Sequence, residues 1–311
     1  MRTVIGCIMA VGIGLLAACA PQAAPTATPE PTPDNRPAGQ IILGDISDEP
    51  TDTIEAFQPL ADYLAANLGD YGIGIGSVKA APDIETMTEW LKAGEVSLYF
   101  DSLYPALIVS EESGGQPILR RWKDGVEEYH SVIFALAGGG IETVADLRGE
   151  MIAFDDVFST SGYMLPRAFL TEAGMKLHEY PDPDNRPNSD EVGYVFSSDD
   201  DNTIQWVISG RVAAGVTDNI AFSEIPEETR AQLAILAETE DLPRHVAVVS
   251  PALSDEVVST ITTLLLGVHE AEGGAAILET FEDTARFDEF PQGRETALER
   301  MRELYAIVNG E

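Results

Sequence analysis

The stretch MIAFDDVFSTSGYMLPRAFL, residues 151–170, decides the fold predicted for this chain. Its apolar start, residues 151–154, predicts a buried strand, and its apolar end predicts a helix. Between them, Ser159, Thr160 and Ser161 place three hydroxyl groups at a strand-to-helix turn. Backbone N–H groups at the start of a helix lack intrahelical partners and attract anions, and Gly162 would let the backbone approach a ligand closely. The alternative is a Ser/Thr-rich turn that only caps a helix.

A second turn of the same kind lies earlier in the chain. The apolar run 96–100 predicts a strand, and Asp101 and Ser102 follow it directly. Either residue is a suitable N-cap for the next helix, and Pro105 is tolerated in a first helical turn. Asp101 is therefore either a ligand acceptor or an ordinary capping residue.

Strand-like and helix-like segments alternate from residue 40 onward, which predicts an α/β chain with mostly parallel sheets. Ligands of such folds bind at the carboxyl ends of the strands. The two turns are far enough apart in sequence to belong to different lobes. We therefore expect a clamshell, with lobe 1 formed by 40–130 plus 244–311 and lobe 2 by 131–243.

The N-terminal residues predict an exported, membrane-anchored protein. Residues 1–18 combine Arg2 with an apolar run too short to span a bilayer, as in a signal peptide. The sequence LAAC that ends at Cys19 matches a bacterial lipobox, so we expect lipidation of Cys19. The alternative is an ordinary secretory signal. Residues 19–39 are rich in Pro, Ala and Thr, which predicts a semi-rigid tether.

Charge and cysteine content exclude several classes of function. The formal net charge is -35, which makes nucleic acid and anionic membrane surfaces poor partners. The chain has 2 cysteines, Cys7 and Cys19, so a mature chain that begins at Cys19 would have no thiol free for a disulfide or a metal. The histidines are scattered without metal-ligand spacing, and we expect neither a metal nor a cofactor.

The run ADLRG (145–149), IAF (152–154), STSGY (159–163) and Pro166 resembles the signature of the phosphonate/phosphite-type substrate-binding proteins of ABC importers. The similarity extends over roughly residues 40–311 and includes YFDS (99–102). It implies a type II periplasmic-binding fold, in which two α/β lobes with mixed sheets and two crossovers close on a small phosphorus oxyanion. It also implies an ABC permease as the membrane partner.

Matched position by position, the resemblance assigns Ser159, Thr160 and Ser161 to the oxyanion clamp. Asp101 stands where aminophosphonate binders carry a tyrosine, and Ser102 follows it; Asp200 lies near a family histidine, and Asp218 lies close to the acidic positions used for a ligand amine. These departures favour phosphite, phosphate or a small phosphonate.

Two further candidates come from the predicted crossovers. Tyr129 and Arg244 lie near them, and Arg244 could pair either with the anion or with a surface carboxylate.

We therefore expect a monomeric receptor on the extracytoplasmic face of the membrane. One alternative is a sensory protein of the same fold that presents its ligand to a membrane histidine kinase. Another is an exported hydrolase with Ser161 as nucleophile. The surrounding residues lack the Gly-x-Ser-x-Gly pattern of a nucleophile elbow, which disfavours the hydrolase.

Overall fold

The computed structural model describes residues 39–310. The predicted signal peptide, Cys19 and all of the tether except Gly39 lie outside these residues. Among residues 39–310, no helix combines the length and the apolar character needed to cross a bilayer.

The strands account for the sheet-forming segments expected from the sequence and add several short ones. They are β1 (Gly39–Ile46), β2 (Ile73–Ala81), β3 (Leu98–Asp101), β4 (Gln116–Arg121), β5 (Glu128–Tyr129), β6 (Ser131–Leu136), β7 (Met151–Phe154), β8 (Leu177–Glu179), β9 (Val192–Phe196), β10 (Ala214–Asp218), β11 (Leu233–Glu238), β12 (Leu242–Pro243), β13 (His245–Val249) and β14 (Phe287–Asp288).

The α-helices alternate with these strands along most of the chain. They are α1 (Pro50–Asn67), α2 (Ile84–Ala93), α3 (Leu103–Ser113), α4 (Leu165–Glu172), α5 (Asp200–Ile208), α6 (Asn219–Glu224), α7 (Glu227–Arg230), α8 (Asp255–Gly267), α9 (Gly274–Thr280) and α10 (Arg294–Asn309).

Two mixed six-stranded sheets organise the chain. The first has the order β14-β4-β13-β3-β1-β2, and the second has the order β11-β6-β10-β7-β9-β8. In the first sheet β1 runs parallel to β2 and β3, whereas β13 is antiparallel to β3 and β4. In the second sheet β7 is parallel to β9 and β10, and β6 is antiparallel to β10. The α/β fold class and the mixed sheets implied by the resemblance are confirmed. The mostly parallel sheets expected from the alternation of elements are wrong, because half of the strand pairs in these two sheets are antiparallel.

The chain passes between the sheets twice. β5 precedes the second sheet and β12 follows it, and the two pair antiparallel, with Leu242 opposite Tyr129. The sequence predicted unbroken strands over 129–137 and 243–249. The structure interrupts them at His130 and Arg244, because the chain changes sheet at these points. The lobe limits 40–130 plus 244–311 and 131–243 stay a prediction.

One apolar core lies on the α1, α8 and α9 side of the first sheet. Phe281 packs edge-on against Phe57 and Phe100, with ring centroids 4.5 and 5.1 Å away. All three rings are at most 1% exposed. This cluster fixes the first sheet beneath its helices and so holds the carboxyl ends of β1 and β3 in place.

The C-terminal helix α10 packs against both α3 and α4, which follow the two hydroxyl-bearing turns. The Tyr305 ring lies 6.0 Å from that of Tyr104. Arg302 binds Glu111 at 2.7 Å. α10 therefore contacts both helices that begin at the hydroxyl-bearing turns.

Candidate ligand-binding cleft

The serine-rich segment forms a tight turn before α4. The Ser159 hydroxyl accepts a hydrogen bond from the Gly162 N–H at 2.9 Å. Residues 160–164 then form a π-helical turn that leads into α4. A Cβ at Gly162 would lie 2.4 Å from the Asp155 Cβ and 2.8 Å from the Ser159 hydroxyl oxygen. The packing of the turn on itself thus requires Gly162, and the close approach to a ligand expected from the sequence stays a prediction.

The two turns meet. The Tyr104 N–H, in the first turn of α3, donates to the Thr160 hydroxyl at 2.8 Å. The same hydroxyl donates to the Ser102 hydroxyl at 3.0 Å. Ser102 is the N-cap residue of α3 but makes no side-chain capping bond. Thr160, which follows β7 of the second sheet, therefore caps α3, which follows β3 of the first sheet.

Asp101 does not act as the N-cap of α3. Its carboxylate accepts hydrogen bonds from the Tyr99 hydroxyl and from the Ser102 N–H, the latter at 2.6 Å. Burial raises the pKa of Asp101, and these two hydrogen bonds partly offset the rise. The side chain is consequently fixed at the end of β3 with an increased affinity for a proton.

Tyr129 and Arg244 lie beside the clamp. The Arg244 guanidinium stands 4.7 Å from the centroid of the Tyr129 ring. Burial raises the pKa of Tyr129, and Arg244 and the hydroxyls of Thr160 and Ser161 oppose that rise. Arg244 also pairs with the carboxylate of Asp124 at 3.3 Å. Its pairing with an anion stays a prediction.

Ser161 is anchored through its backbone. Its carbonyl oxygen accepts a hydrogen bond from the Ser131 hydroxyl at 2.6 Å. Ser131, which the sequence did not single out, begins β6 immediately after the crossover. The bond holds the clamp turn against the start of the second sheet.

The two remaining candidates, Asp200 and Asp218, lie near the ends of strands β9 and β10 of the second sheet. Asp218 caps α6 by accepting from the Ile220 and Ala221 N–H groups at 2.8 and 2.9 Å. Asp200 accepts from the Thr217 hydroxyl at 2.6 Å. Burial raises the pKa of Asp200, and the nearby Asp218 charge raises it further. Both carboxylates thus have intramolecular partners.

A cavity of about 490 Å³ opens beside the clamp. It combines apolar walls with carboxylates and hydroxyls, and its lining is Ile46, Pro82, Asp83, Ile84, Asp101, Ser102, Pro105, Asp155, Asp156, Phe158 and Ser159. Only Asp101, Ser102 and Ser159 among the lining residues were predicted from the sequence. The others come from the end of β1, the segment from β2 into α2, the first turn of α3 and the loop after β7.

Asp155 is the most informative of the residues that the sequence did not identify. It precedes the clamp and its backbone N–H donates to the Gly162 carbonyl at 3.2 Å. Burial raises its pKa to about 6, and the charge of Asp200 adds to the effect. Asp155 therefore keeps its proton to a higher pH than an ordinary aspartate does.

A family model described as "ABC transporter, phosphonate, periplasmic substrate-binding protein" matches residues 45–292. The chain belongs to this family. Its members are the substrate-binding components of transporters, and the type II periplasmic-binding fold expected from the sequence is confirmed.

Solved structures resemble this phosphonate-family binding protein over nearly their whole length. XAC2383 from Xanthomonas citri is 26% identical, with a TM-score of 0.79, and the match covers 86% of this chain and 97% of that one. PhnD1 from Prochlorococcus marinus is 17% identical, with a TM-score of 0.62 and coverages of 86% and 98%. A phosphonate-transporter binding component from Pseudomonas aeruginosa is 16% identical, with a TM-score of 0.60 and coverages of 87% and 87%.

Within residues 39–310 of this binding protein, no three His, Cys, Asp or Glu side chains are grouped so that they could hold a metal ion.

Proposed function

We propose that this substrate-binding protein is a lipid-anchored extracytoplasmic receptor that delivers a small phosphorus oxyanion, namely phosphite, phosphate or a small phosphonate, to an ABC permease. The observation that carries the proposal is the direct contact between Ser102 and Thr160 at the N-terminus of α3. Hydroxyls and backbone N–H groups from both sheets converge there, and such convergence at a helix N-terminus favours an anion.

Oxygens of the ligand would replace the hydrogen bond that Thr160 makes with Ser102. The Thr160 hydroxyl donates its one proton to Ser102 at 3.0 Å, so an oxyanion to which Thr160 donates must replace this hydrogen bond. Ser159 and Ser161 flank Thr160 and supply further hydroxyls. Hydrogen bonds to a charged ligand contribute about 1.5–3 kcal/mol each, and micromolar affinity needs about 8 kcal/mol. Five or six such bonds are sufficient after the costs of ordering.

The acidic groups select which oxyanion binds. A carboxylate at Asp101 accepts a hydrogen bond from a P–OH group and repels an anion that has no proton to offer. Asp200 and Asp218 would act similarly from the other side of the cleft. Arg244, stacked on Tyr129, would supply the compensating positive charge.

Two comparisons support an anionic ligand for this fold. XAC2383 has been solved with a chloride ion, and separately with ATP, which carries phosphate groups. Both matches span most of this chain, at 26% and 25% identity.

Thermal melting with phosphite, phosphate, methylphosphonate, sulfate and arsenite tests the ligand class. A ligand at about 100 times its Kd stabilises the folded state by about 2.7 kcal/mol, which corresponds to a rise in Tm of about 5 °C or more. We expect this shift with at least one phosphorus species and none with sulfate. The absence of a shift with every phosphorus species would refute the proposed ligand class.

The membrane partners are tested separately. Affinity capture from cross-linked membranes should recover a permease; recovery of a histidine kinase instead would favour the sensory alternative. Mass spectrometry should find acyl chains on Cys19, and Cys19→Ala should release the protein from the membrane. A Cys19→Ala protein that stays in the membrane fraction would contradict the lipid anchor.

A further inference from the structure

The cleft cavity is larger than an inorganic oxyanion requires. Its volume is about 490 Å³. A phosphite or phosphate ion fills only roughly 100 Å³, given that a water molecule takes about 30 Å³ of the liquid. Cavities of several hundred Å³ with apolar walls and a few polar groups are typical of sites for organic ligands. An oxyanion held by the clamp hydroxyls would therefore occupy only part of this space.

One wall of the cavity is apolar and comes from the carboxyl ends of β1 and β2. Ile46 ends β1, Pro82 follows β2, and Ile84 begins α2. Ile46 and Ile84 are partly buried, and both pack against the apolar core cluster that includes Met87 and Leu91 of α2. The core beneath this wall therefore holds it in place.

Phe158 lines the same cavity from the loop between β7 and the clamp. It is 41% exposed, whereas the other phenylalanines of residues 39–310 are buried or half-buried. A tight turn fixes its backbone: the Asp156 carboxylate accepts a hydrogen bond from the Phe158 N–H at 2.9 Å, and the Asp156 carbonyl accepts one from the Ser159 N–H at 3.0 Å. Phe158 is thus held directly beside the clamp with apolar surface that a ligand can bury.

The four carboxylates that line the cavity do not require a positively charged group from the ligand. Three of them accept a hydrogen bond from a nearby backbone N–H, at 2.7 Å for Asp83, 2.6 Å for Asp101 and 2.9 Å for Asp156. Burial raises the pKa of the fourth, Asp155, to about 6, which is opposite to the effect of a neighbouring cation. The apolar surfaces are therefore the part of the cavity that suits a substituent on the oxyanion.

We propose that Phe158 is a specificity-determining residue that packs against an uncharged apolar substituent of the ligand, so that the preferred ligand is an alkylphosphonate and not an inorganic oxyanion. The phosphonate oxygens occupy the clamp, and the alkyl group lies between Phe158 and the wall that contains Ile46 and Ile84. The inference rests on the proposed function, because it needs a phosphorus oxyanion in the clamp.

The apolar contact determines how the affinity changes with the alkyl group. Burying one methylene group raises the affinity about fourfold, so propylphosphonate should bind about 15-fold more tightly than methylphosphonate. 2-Aminoethylphosphonate has as many non-hydrogen atoms as propylphosphonate but ends in an ammonium group, which loses its hydration against an apolar wall. It should bind more weakly than propylphosphonate by about tenfold or more.

Isothermal titration calorimetry with methyl-, propyl- and 2-aminoethylphosphonate measures these ratios in the wild type, Phe158→Ala and Val157→Ala. Val157 precedes Phe158 and is 42% exposed, but it is not among the residues that line the cavity. Val157→Ala is therefore the matched control for a change in this loop.

We expect the ratio of the propylphosphonate affinity to the methylphosphonate affinity to fall from about 15 in the wild type to about 2 or 3 in Phe158→Ala. Val157→Ala should keep the wild-type ratio. Phe158→Leu keeps an apolar side chain and should give an intermediate ratio, which separates the loss of apolar contact from a disturbance of the turn.

Three results would overturn this inference and leave the proposed function standing. The first is propylphosphonate that binds the wild type no more tightly than methylphosphonate, and the second is the same ratio in Phe158→Ala as in the wild type. The third is tighter binding of 2-aminoethylphosphonate than of propylphosphonate, which would assign the carboxylates to an ammonium group. If the wild type binds none of these phosphonates and neither phosphite nor phosphate, the proposed function fails and this inference fails with it.

Discussion

Thr160→Val is the substitution that most directly tests the clamp. It removes one hydroxyl while it preserves the shape of the side chain. In the structure this hydroxyl accepts from the Tyr104 N–H and donates to Ser102. Thr160 is 1% exposed, so water cannot replace it. We expect the variant to lose about 1–3 kcal/mol of unfolding free energy, because the Tyr104 N–H stays buried without an acceptor.

The effect on binding should be of similar size and separable from the effect on stability. One lost hydrogen bond to a charged ligand weakens binding by about 1.5–3 kcal/mol, or roughly 10- to 150-fold. Calorimetry with phosphite measures the affinity, and urea denaturation measures the stability. The matched control is Thr263→Val, an exposed threonine on α8 whose hydroxyl bonds only to the Ser259 carbonyl. It should leave both quantities nearly unchanged.

A double-mutant cycle sharpens this test. Ser102 and Thr160 are in contact, so the combined Ser102→Ala and Thr160→Val changes should be non-additive by about 0.5–3 kcal/mol. If Thr160→Val binds phosphite within twofold of the wild type, the Thr160 hydroxyl does not hold the ligand.

Three further predictions concern the surroundings of the clamp. Asp155→Asn should stabilise the protein increasingly as the pH rises through about 6. The raised pKa of Asp155 means that its ionisation is unfavourable in the folded state. A change in Tm that is constant from pH 4 to pH 8 would contradict this. Gly162→Ala should cost about 1–3 kcal/mol in urea denaturation, since its methyl group would overlap Asp155, and an unchanged midpoint would refute the packing argument. Phe281→Ala should cost about 3–5 kcal/mol, because the ring is 0% exposed between Phe57 and Phe100; a loss below about 1 kcal/mol would show that this core tolerates a cavity.

The local sequence predicts the strands that bound the clamp well. β7 and β9 begin and end where their apolar runs do, because turn-forming residues follow each run directly. The breaks at His130 and Arg244 could not be predicted in the same way. Both lie inside segments that the sequence predicts as unbroken strands, and only the pairing of β5 with β12 shows that the chain changes sheet there.

The candidate site, like the strands, could be predicted from the sequence only in part. Hydroxyls at a strand-to-helix turn are visible in the sequence, so Ser102, Ser159 and Thr160 could be predicted together. The capping of α3 by Thr160 depends on the second sheet meeting the first, which no local pattern encodes. Asp155 was not identified for a related reason. Its raised pKa results from burial and from the charge of Asp200, which is distant in sequence.

The proposed function requires that one oxyanion is held between the two turns, and a crystal structure of the wild type with methylphosphonate would show this. We predict phosphonate oxygens at about 2.7–3.1 Å from both the Ser102 and the Thr160 side chains, with the direct bond between these two hydroxyls replaced. Methylphosphonate bound elsewhere, or contacting only one of the two turns while Ser102 and Thr160 stay bonded to each other, would contradict it.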